Sequence, residues 1–266
     1  MEIQLYSWYD HFTLTQKPQF IQWTKEERPL VFYSDVYVMT AVKEKNACAL
    51  LIEPRSIQPT VYKYIETYPD KFLYIFTHDS RLLNNLPNAK LIYWGGVYEY
   101  NDVPKTKDIS FCSSNKTMCK EHIDRLNLCR QLEDTIDCMG TYSGGNRVNT
   151  YDIYAEYKFS VIFENYIDDY WFSEKICNCF ANKCIPIYFG ARKINTIFNE
   201  AGIFECRGEI DIKRAIDFIL TTGTDREYND RIEVINDNYE RVKKFTCFED
   251  TFYHMYRELL EDIENG

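Results

Sequence analysis

Ser173, Glu174 and Lys175 stand together a short way past Glu164-Asn165, and their types suit a phosphate ester. Ser173 precedes an apolar run and is a good helix N-cap. The helix it would open presents unpaired N–H groups and the positive end of its dipole, both favourable to a diphosphate. Lys175 in the first turn adds a full positive charge. Glu174 beside it can accept hydrogen bonds from ribose hydroxyls. The run therefore reads as a cradle for a nucleotide.

Such a cradle needs a strand on either side of the helix. The pattern predicts a strand over Phe159–Phe163, a helix over Glu174–Asn182 and a strand over Ile185–Phe189, with Gly190 closing the last. In open α/β sheets ligands bind beyond the carboxyl ends of strands, where Glu164-Asn165 and Gly190 fall. Upstream, Ile109–Cys112 reads as a strand, Lys120–Leu132 as a helix and Ile136–Met139 as a short strand; Ile210–Leu220 reads as another helix. Tyr142-Ser143-Gly144-Gly145-Asn146 reads as a glycine turn after a strand.

The first part repeats the theme. Val31–Met39, Cys48–Ile52, Phe72–Phe76 and Leu91–Trp94 are predicted strands, with a helix in Thr60–Thr67. This alternation predicts a parallel sheet with crossover helices. Asn101–Asp108 is polar, contains a proline and reads as a linker. The expected fold is α/β, with a first domain over 1–104 and a second over 105–246. Phe248, Phe252, Met255, Tyr256, Leu259, Leu260 and Ile263 form one apolar stripe, so 247–266 is expected to be a helix.

Composition narrows the function. The chain has 266 residues, 45% hydrophobic and 27% charged, which is globular. Its net charge of −10 and the absence of any basic run longer than Arg241–Lys244 argue against a nucleic-acid partner. Its 22 Tyr are suited to core packing, with some able to stack on sugar rings. None of the ten Cys forms a C-x-x-C pair, and Cys177, Cys179 and Cys184 match no common zinc spacing, so no metal site is expected there. Asp168-Asp169 lacks a strand-D-x-D context and reads as an acidic loop. Met1-Glu2-Ile3-Gln4 is not the basic start of a signal peptide, and no apolar stretch is long enough to span a membrane. A cytoplasmic protein with free thiols is the expectation.

The segment Tyr157–Ala191 resembles the signature of the α1,3-fucosyltransferase family (glycosyltransferase family 10). That signature runs roughly Y-K-F-x-x-x-F-E-N, a short loop, D-Y-V-T-E-K, an apolar helix, then P-x-Y-x-G. Here stand Tyr157-Lys158-Phe159, Phe163-Glu164-Asn165, Asp169-Tyr170, Ser173-Glu174-Lys175, Pro186, Tyr188 and Gly190. Upstream, Ile109–Arg125 is similar to the family's strand ending in S-N, here Ser114-Asn115, followed by a helix with an arginine. Arg125 matches that arginine, with Arg130 as the substitute, and a guanidinium suits phosphate oxygens. Glu53-Pro54 resembles the glutamate and proline of the family's first domain, where the glutamate is thought to be the general base. His78-Asp79 is the rival.

The resemblance implies two Rossmann-like domains of glycosyltransferase-B architecture, with the C-terminal helix returning to the first. It implies an inverting transfer from a nucleotide sugar, GDP-fucose first, to a glycan hydroxyl, with no metal or other cofactor. Glu53 would deprotonate the acceptor. Arg125 and Lys175 would offset charge on the leaving diphosphate. Glu164, Asn165, Glu174, Ser114 and Asn115 would hold the donor, with Tyr170 and Trp171 as pocket wall. Trp171 stands where the family has an aliphatic residue or tyrosine, Ser173 replaces threonine, and Ala181-Asn182-Lys183 replaces a small turn. The animal members' stem and anchor have no counterpart, which points to a compact bacterial or viral type. The departures leave the sugar open: xylose from UDP-xylose on the same fold is an alternative, as is a non-catalytic glycan-binding protein on a decayed transferase fold.

Overall fold

The computed structural model describes residues 1–10, 12, 16–42 and 46–265, and the chain divides into two compact units. The first unit comprises Met1–Gly96, Asp168–Trp171 and Thr246–Gly266; the second comprises Val97–Ile167 and Phe172–Phe245.

The first unit holds a six-stranded parallel sheet: β1 (Glu2–Tyr6), β2 (Gln22–Thr24), β3 (Val31–Ser34), β4 (Ala47–Leu50), β5 (Tyr74–Thr77) and β6 (Ala89–Leu91). Their spatial order is β2-β1-β3-β4-β5-β6, so the order reverses between β1 and β3. β3 and β4 are buried at every position, as expected of strands covered on both faces. One face packs on α1 (Pro59–Thr67) through Val61, Tyr62 and Ile65. A second helix, α2 (Ser80–Asn85), follows β5 and is capped by Asp79.

Val31–Met39 is not one strand. The extended run stops at Ser34, and a 3-10 turn spans Asp35–Thr40. Asp35 adopts φ +48°, which no strand accommodates, so the β-branched residues beyond it coil back instead. The sequence reading also passed over β1 and β2. Gln4 interrupts the apolar pattern of β1, yet it is buried and its Oε1 accepts from the Arg28 amide.

The second unit holds a five-stranded parallel sheet: β7 (Lys107–Cys112), β8 (Asp137–Met139), β9 (Tyr157–Phe163), β10 (Ile185–Phe189) and β11 (Phe204–Glu205), ordered β11-β10-β9-β7-β8. Here the order reverses between β7 and β9. All seven residues of β9 are buried. α3 (Lys120–Leu132) follows β7 and α4 (Glu174–Ala181) follows β9. α5 (Glu209–Thr222), α6 (Thr224–Asn229) and α7 (Ile232–Val242) complete the unit; only the first of these is visible in the sequence pattern. Asn101–Asp108 is no free linker. Asn101 bonds Asn182 at 2.9 Å, and half-buried Lys105 donates to the carbonyls of Tyr154 and Ala155. The chain changes unit at Gly96–Val97.

The last helix, α8 (Phe248–Asn265), belongs to the first unit; Gly266, the end of its expected span, lies outside the described residues. Phe252 packs edge-on against Phe32 and Phe76, with ring centroids 5.8 and 4.8 Å away. Glu249 is fully buried and accepts from the Phe12 amide at 2.7 Å and Trp23 Nε1 at 3.0 Å. The helix is kinked at Tyr256 (φ −131°), and Met255 of the expected stripe is exposed.

Candidate functional site

The reversal between β7 and β9 is where an open α/β sheet offers its crevice. Arg125, on α3, ties both strand ends there. Its Nη1 donates to the Phe163 carbonyl at the end of β9, and its Nη2 donates to Ser114 Oγ beyond β7, both at 3.2 Å. Arg125 is 5% exposed. Burial pulls its guanidinium below the ordinary value, with Glu164 the main charge opposing that shift.

Glu164 follows β9 and is fully buried. Its carboxylate accepts from the Ser173 amide at 2.9 Å and from Ser173 Oγ at 2.8 Å. Lys175 Nζ donates to Ser173 Oγ at 2.9 Å and lies 3.6 Å from Glu164 Oε2 and 3.3 Å from Glu174 Oε1. Burial works against the charge on Lys175, but Glu174 and Glu164 outweigh it and hold the ammonium pKa above ordinary. Burial likewise opposes the Glu174 carboxylate, and Lys175 reverses the balance, keeping it ionised. Ser173 caps α4 as expected, its Oγ accepting from the Lys175 amide. Glu164, expected to touch the donor, is instead the buried post that fixes Ser173 and Lys175.

Gly190 is required by close approach. A Cβ there would lie 2.3 Å from Tyr188 Oη and 2.7 Å from Glu164 Cγ. Tyr188 Oη accepts from the Ala191 amide at 2.9 Å, which turns the chain after β10. Beyond this turn lies a cleft of about 450 Å³ lined by Ile167, Tyr188, Gly190, Arg192, Glu205 and Arg207. Gly190 belongs to the family signature read from the sequence; Arg192 and Arg207 lie outside it.

Ser114 and Asn115 sit in the loop after β7, where the Asn115 amide donates to Thr141 Oγ1 at 3.1 Å. Asn165 is half-buried, and its carbonyl accepts from the Cys119 thiol at 3.4 Å. Arg125, Ser114, Glu164, Asn165, Glu174 and Lys175 thus all lie in the second unit. Tyr170 and Trp171 do not. They belong to the first unit, where Trp171 is 3% exposed and its ring packs 4.3 Å from that of His78. In the same segment Asp168 accepts from the Ser80 amide at 2.7 Å and from its hydroxyl, so this acid serves the start of α2.

In the first unit Glu53 follows β4 and is half-buried. Its amide donates to Asp35 Oδ1 at 3.1 Å, and its carbonyl accepts from Tyr62 Oη at 2.8 Å. Asp35 is 5% exposed, and burial pushes its carboxyl up to about 7. The rival base is poorly placed. Asp79 is bound by Arg55 at 2.8 and 2.9 Å and by the Leu82 amide, and its pKa is lowered: burial opposes its charge, and these bonds prevail. His78 is fully buried, and desolvation drives its pKa down to about 4.

Aromatic rings gather where the first sheet's order reverses. Tyr6 stacks on Tyr33 at 4.8 Å, and Trp8, 75% exposed, meets Tyr37 edge-on at 5.6 Å. Among the described residues no group of three or more His, Cys, Asp or Glu is arranged to hold a metal ion, and no helix is long and apolar enough to cross a membrane.

Residues 103–204 match the model of glycosyltransferase family 10 (fucosyltransferase), C-terminal part. Tyr157–Ala191 and Ile109–Arg125, read above as fucosyltransferase-like, lie inside that span, which bears out the resemblance there; Glu53-Pro54 lies outside it. No curated protein matches the sequence. Among solved structures, an α1,3-fucosyltransferase is 15% identical, covering 100% of this chain and 90% of that one with a TM-score of 0.61. An α1,3-fucosyltransferase with GDP-fucose is 17% identical over 94% and 89%, with a TM-score of 0.56. The pneumococcal O-GlcNAc transferase GtfA in complex with UDP and GlcNAc is 14% identical over 88% and 56%, with a TM-score of 0.54. The fold is therefore that of the fucosyltransferases: α/β, two Rossmann-like units, glycosyltransferase-B.

Proposed function

We propose that the chain is an inverting glycosyltransferase that moves L-fucose from GDP-fucose to a hydroxyl of a glycan. The observation that carries this reading is the knot of Arg125, Ser114, Glu164, Ser173 and Lys175 at the reversal of the second sheet, with α4 opening at Ser173. Two buried or half-buried cations and a helix N-terminus converge on one strand end, an arrangement suited to a diphosphate. The neighbouring cleft of about 450 Å³ has the volume a small ligand needs.

In this reading Glu53 takes the proton from the acceptor hydroxyl. The oxygen attacks the anomeric carbon as the bond to the diphosphate breaks on the opposite face, and the nucleoside diphosphate leaves. Arg125 and Lys175 offset the charge that grows on it, so no metal is needed. Glu174 and Asn165 hold the nucleotide sugar, and the Trp8–Tyr37 shelf offers the acceptor's rings an apolar surface. The ten free cysteines suit a reducing cytosol.

Calorimetry with GDP, UDP, CMP and dTDP, without metal and then with Mn²⁺, tests the donor. Selective GDP binding without metal supports fucose transfer. The shared fold of the O-GlcNAc transferase in complex with UDP favours one second reading, a UDP-sugar donor such as UDP-xylose, and selective UDP binding would establish it. Binding of none would leave a glycan-binding protein on a decayed transferase fold.

A further inference from the structure

α3 carries a second side chain that the reaction scheme leaves unused. His122 lies one turn before Arg125, on the same face of the helix. It is 4% exposed, and its Nδ1 is buried with no hydrogen-bond partner; Arg125 Nε is in the same condition. Buried polar atoms of native proteins are nearly always paired. Two orphans a turn apart, beside the bonds that Arg125 makes to both strand ends, point to a polar guest at this place.

The charges around His122 fix the guest's sign. Arg125 on its own helix, Lys116 in the loop after β7 and Lys175 on α4 all oppose protonation of its ring. Burial opposes it more strongly still, and together they lower its pKa to about 4. Glu164 and Glu174 act on Arg125 and Lys175 and already face those two cations. An anion arriving among Arg125, Lys116 and Lys175 would cancel the repulsion that keeps the ring neutral.

We propose that His122 is a positioning residue of the anion site, neutral in the free protein and protonated when a diphosphate binds beside Arg125. The inference rests on the donor reading above for the identity of the nucleotide, but not for the anion. Linkage then requires binding to tighten as pH falls, by about tenfold per pH unit between the free and bound pKa of His122. It also requires a proton to be taken up from the buffer. On departure of the nucleoside diphosphate that proton returns to solvent.

The test follows the His122 ring by NMR through a pH titration, in the free protein and with saturating inorganic pyrophosphate. GDP-fucose is used in parallel calorimetry in buffers of differing ionisation enthalpy. As a diester its diphosphate does not itself titrate near neutral pH, so any proton taken up belongs to the protein. The expected result is a His122 pKa raised by more than one unit by pyrophosphate, and proton uptake with GDP-fucose that His122→Gln abolishes while the variant remains folded and still binds. GDP-fucose binding without proton uptake, with the His122 pKa unmoved by bound pyrophosphate, overturns this inference and leaves the donor reading standing. A raised pKa with pyrophosphate but no binding of GDP-fucose overturns the donor reading and leaves this one. If neither ligand binds, both fall.

Discussion

The Glu164 carboxylate and the Ser173 hydroxyl lie 2.8 Å apart, wholly out of solvent, and that contact sets the start of α4. The acid touches Ser173 by two donors and faces Lys175 across 3.6 Å, so it organises the cation that the proposed function assigns to the donor. Glu164→Gln keeps the shape and removes the charge. The expected loss is about 2–3 kcal/mol of stability, as for a buried charge-assisted bond. Donor affinity should fall as well; urea melts and calorimetry on the same sample read both.

Arg125 spans two strand ends with one planar fork, and a lysine presents a single point charge in its place. Arg125→Lys should therefore weaken donor binding by roughly tenfold or more, equivalent to at least about 1.4 kcal/mol. Arg125→Ala should weaken it further. Affinity restored to wild type in the lysine variant would show that charge alone suffices.

Glu53→Ala should leave nucleotide binding intact and lower the rate of transfer by about 10²–10⁴, the usual contribution of a general base. Transfer at the normal rate would remove Glu53 from the mechanism. Asp79 is then no substitute, since Arg55 holds it.

Asp35 supplies a prediction in pH. Its folded pKa of about 7 lies above its ordinary 3.8, so the native state holds the proton more tightly than the unfolded chain. Its contribution is fully present below pH ~4 and is lost as pH rises toward and through 7, up to about 4 kcal/mol at 1.36 kcal/mol per unit. Asn keeps an oxygen for the Ile52 and Glu53 amides and tolerates φ +48°. Asp35→Asn should thus be more stable than wild type at pH 8, with no such gain at pH 4. Denaturant midpoints at the two values decide it.

Gly190→Ala would press a methyl group into Tyr188 Oη and Glu164 Cγ. The expected result is about 1–3 kcal/mol lost to overpacking and weakened donor binding, because the displaced group is the post behind Lys175. Unchanged melting and unchanged donor affinity would show that the turn after β10 yields freely.

The sequence made β9, β10, α3 and α4 of the second unit plain because Phe159 and Val161–Phe163 mark a buried strand and Ser173 caps an apolar helix, whereas α6, α7 and β11 carry no such pattern. The positions of Glu164, Ser173 and Lys175 were legible for the same reason: they sit at element ends. What lay hidden depends on burial. Nothing in the chain shows that the Trp171 ring is buried against His78. His122 and Asp35 are ordinary polar residues in the chain and become unusual only when their solvent is gone. β1 escaped notice because it is only five residues long and Gln4, polar yet buried, interrupts its apolar run.

α8 carries Phe248, Phe252 and Leu260 into the core of the first unit, beside Phe32 and Phe76 near the start of the chain. This has a bearing on synthesis. A ribosome delivers the N-terminal sheet first, but that sheet must wait for the final residues before its apolar face is covered. The second unit takes all its segments from the middle of the chain and has its full complement earlier. Domains emerging from the ribosome usually fold in the order they appear. Here the core of the first unit cannot be completed until α8 has been made.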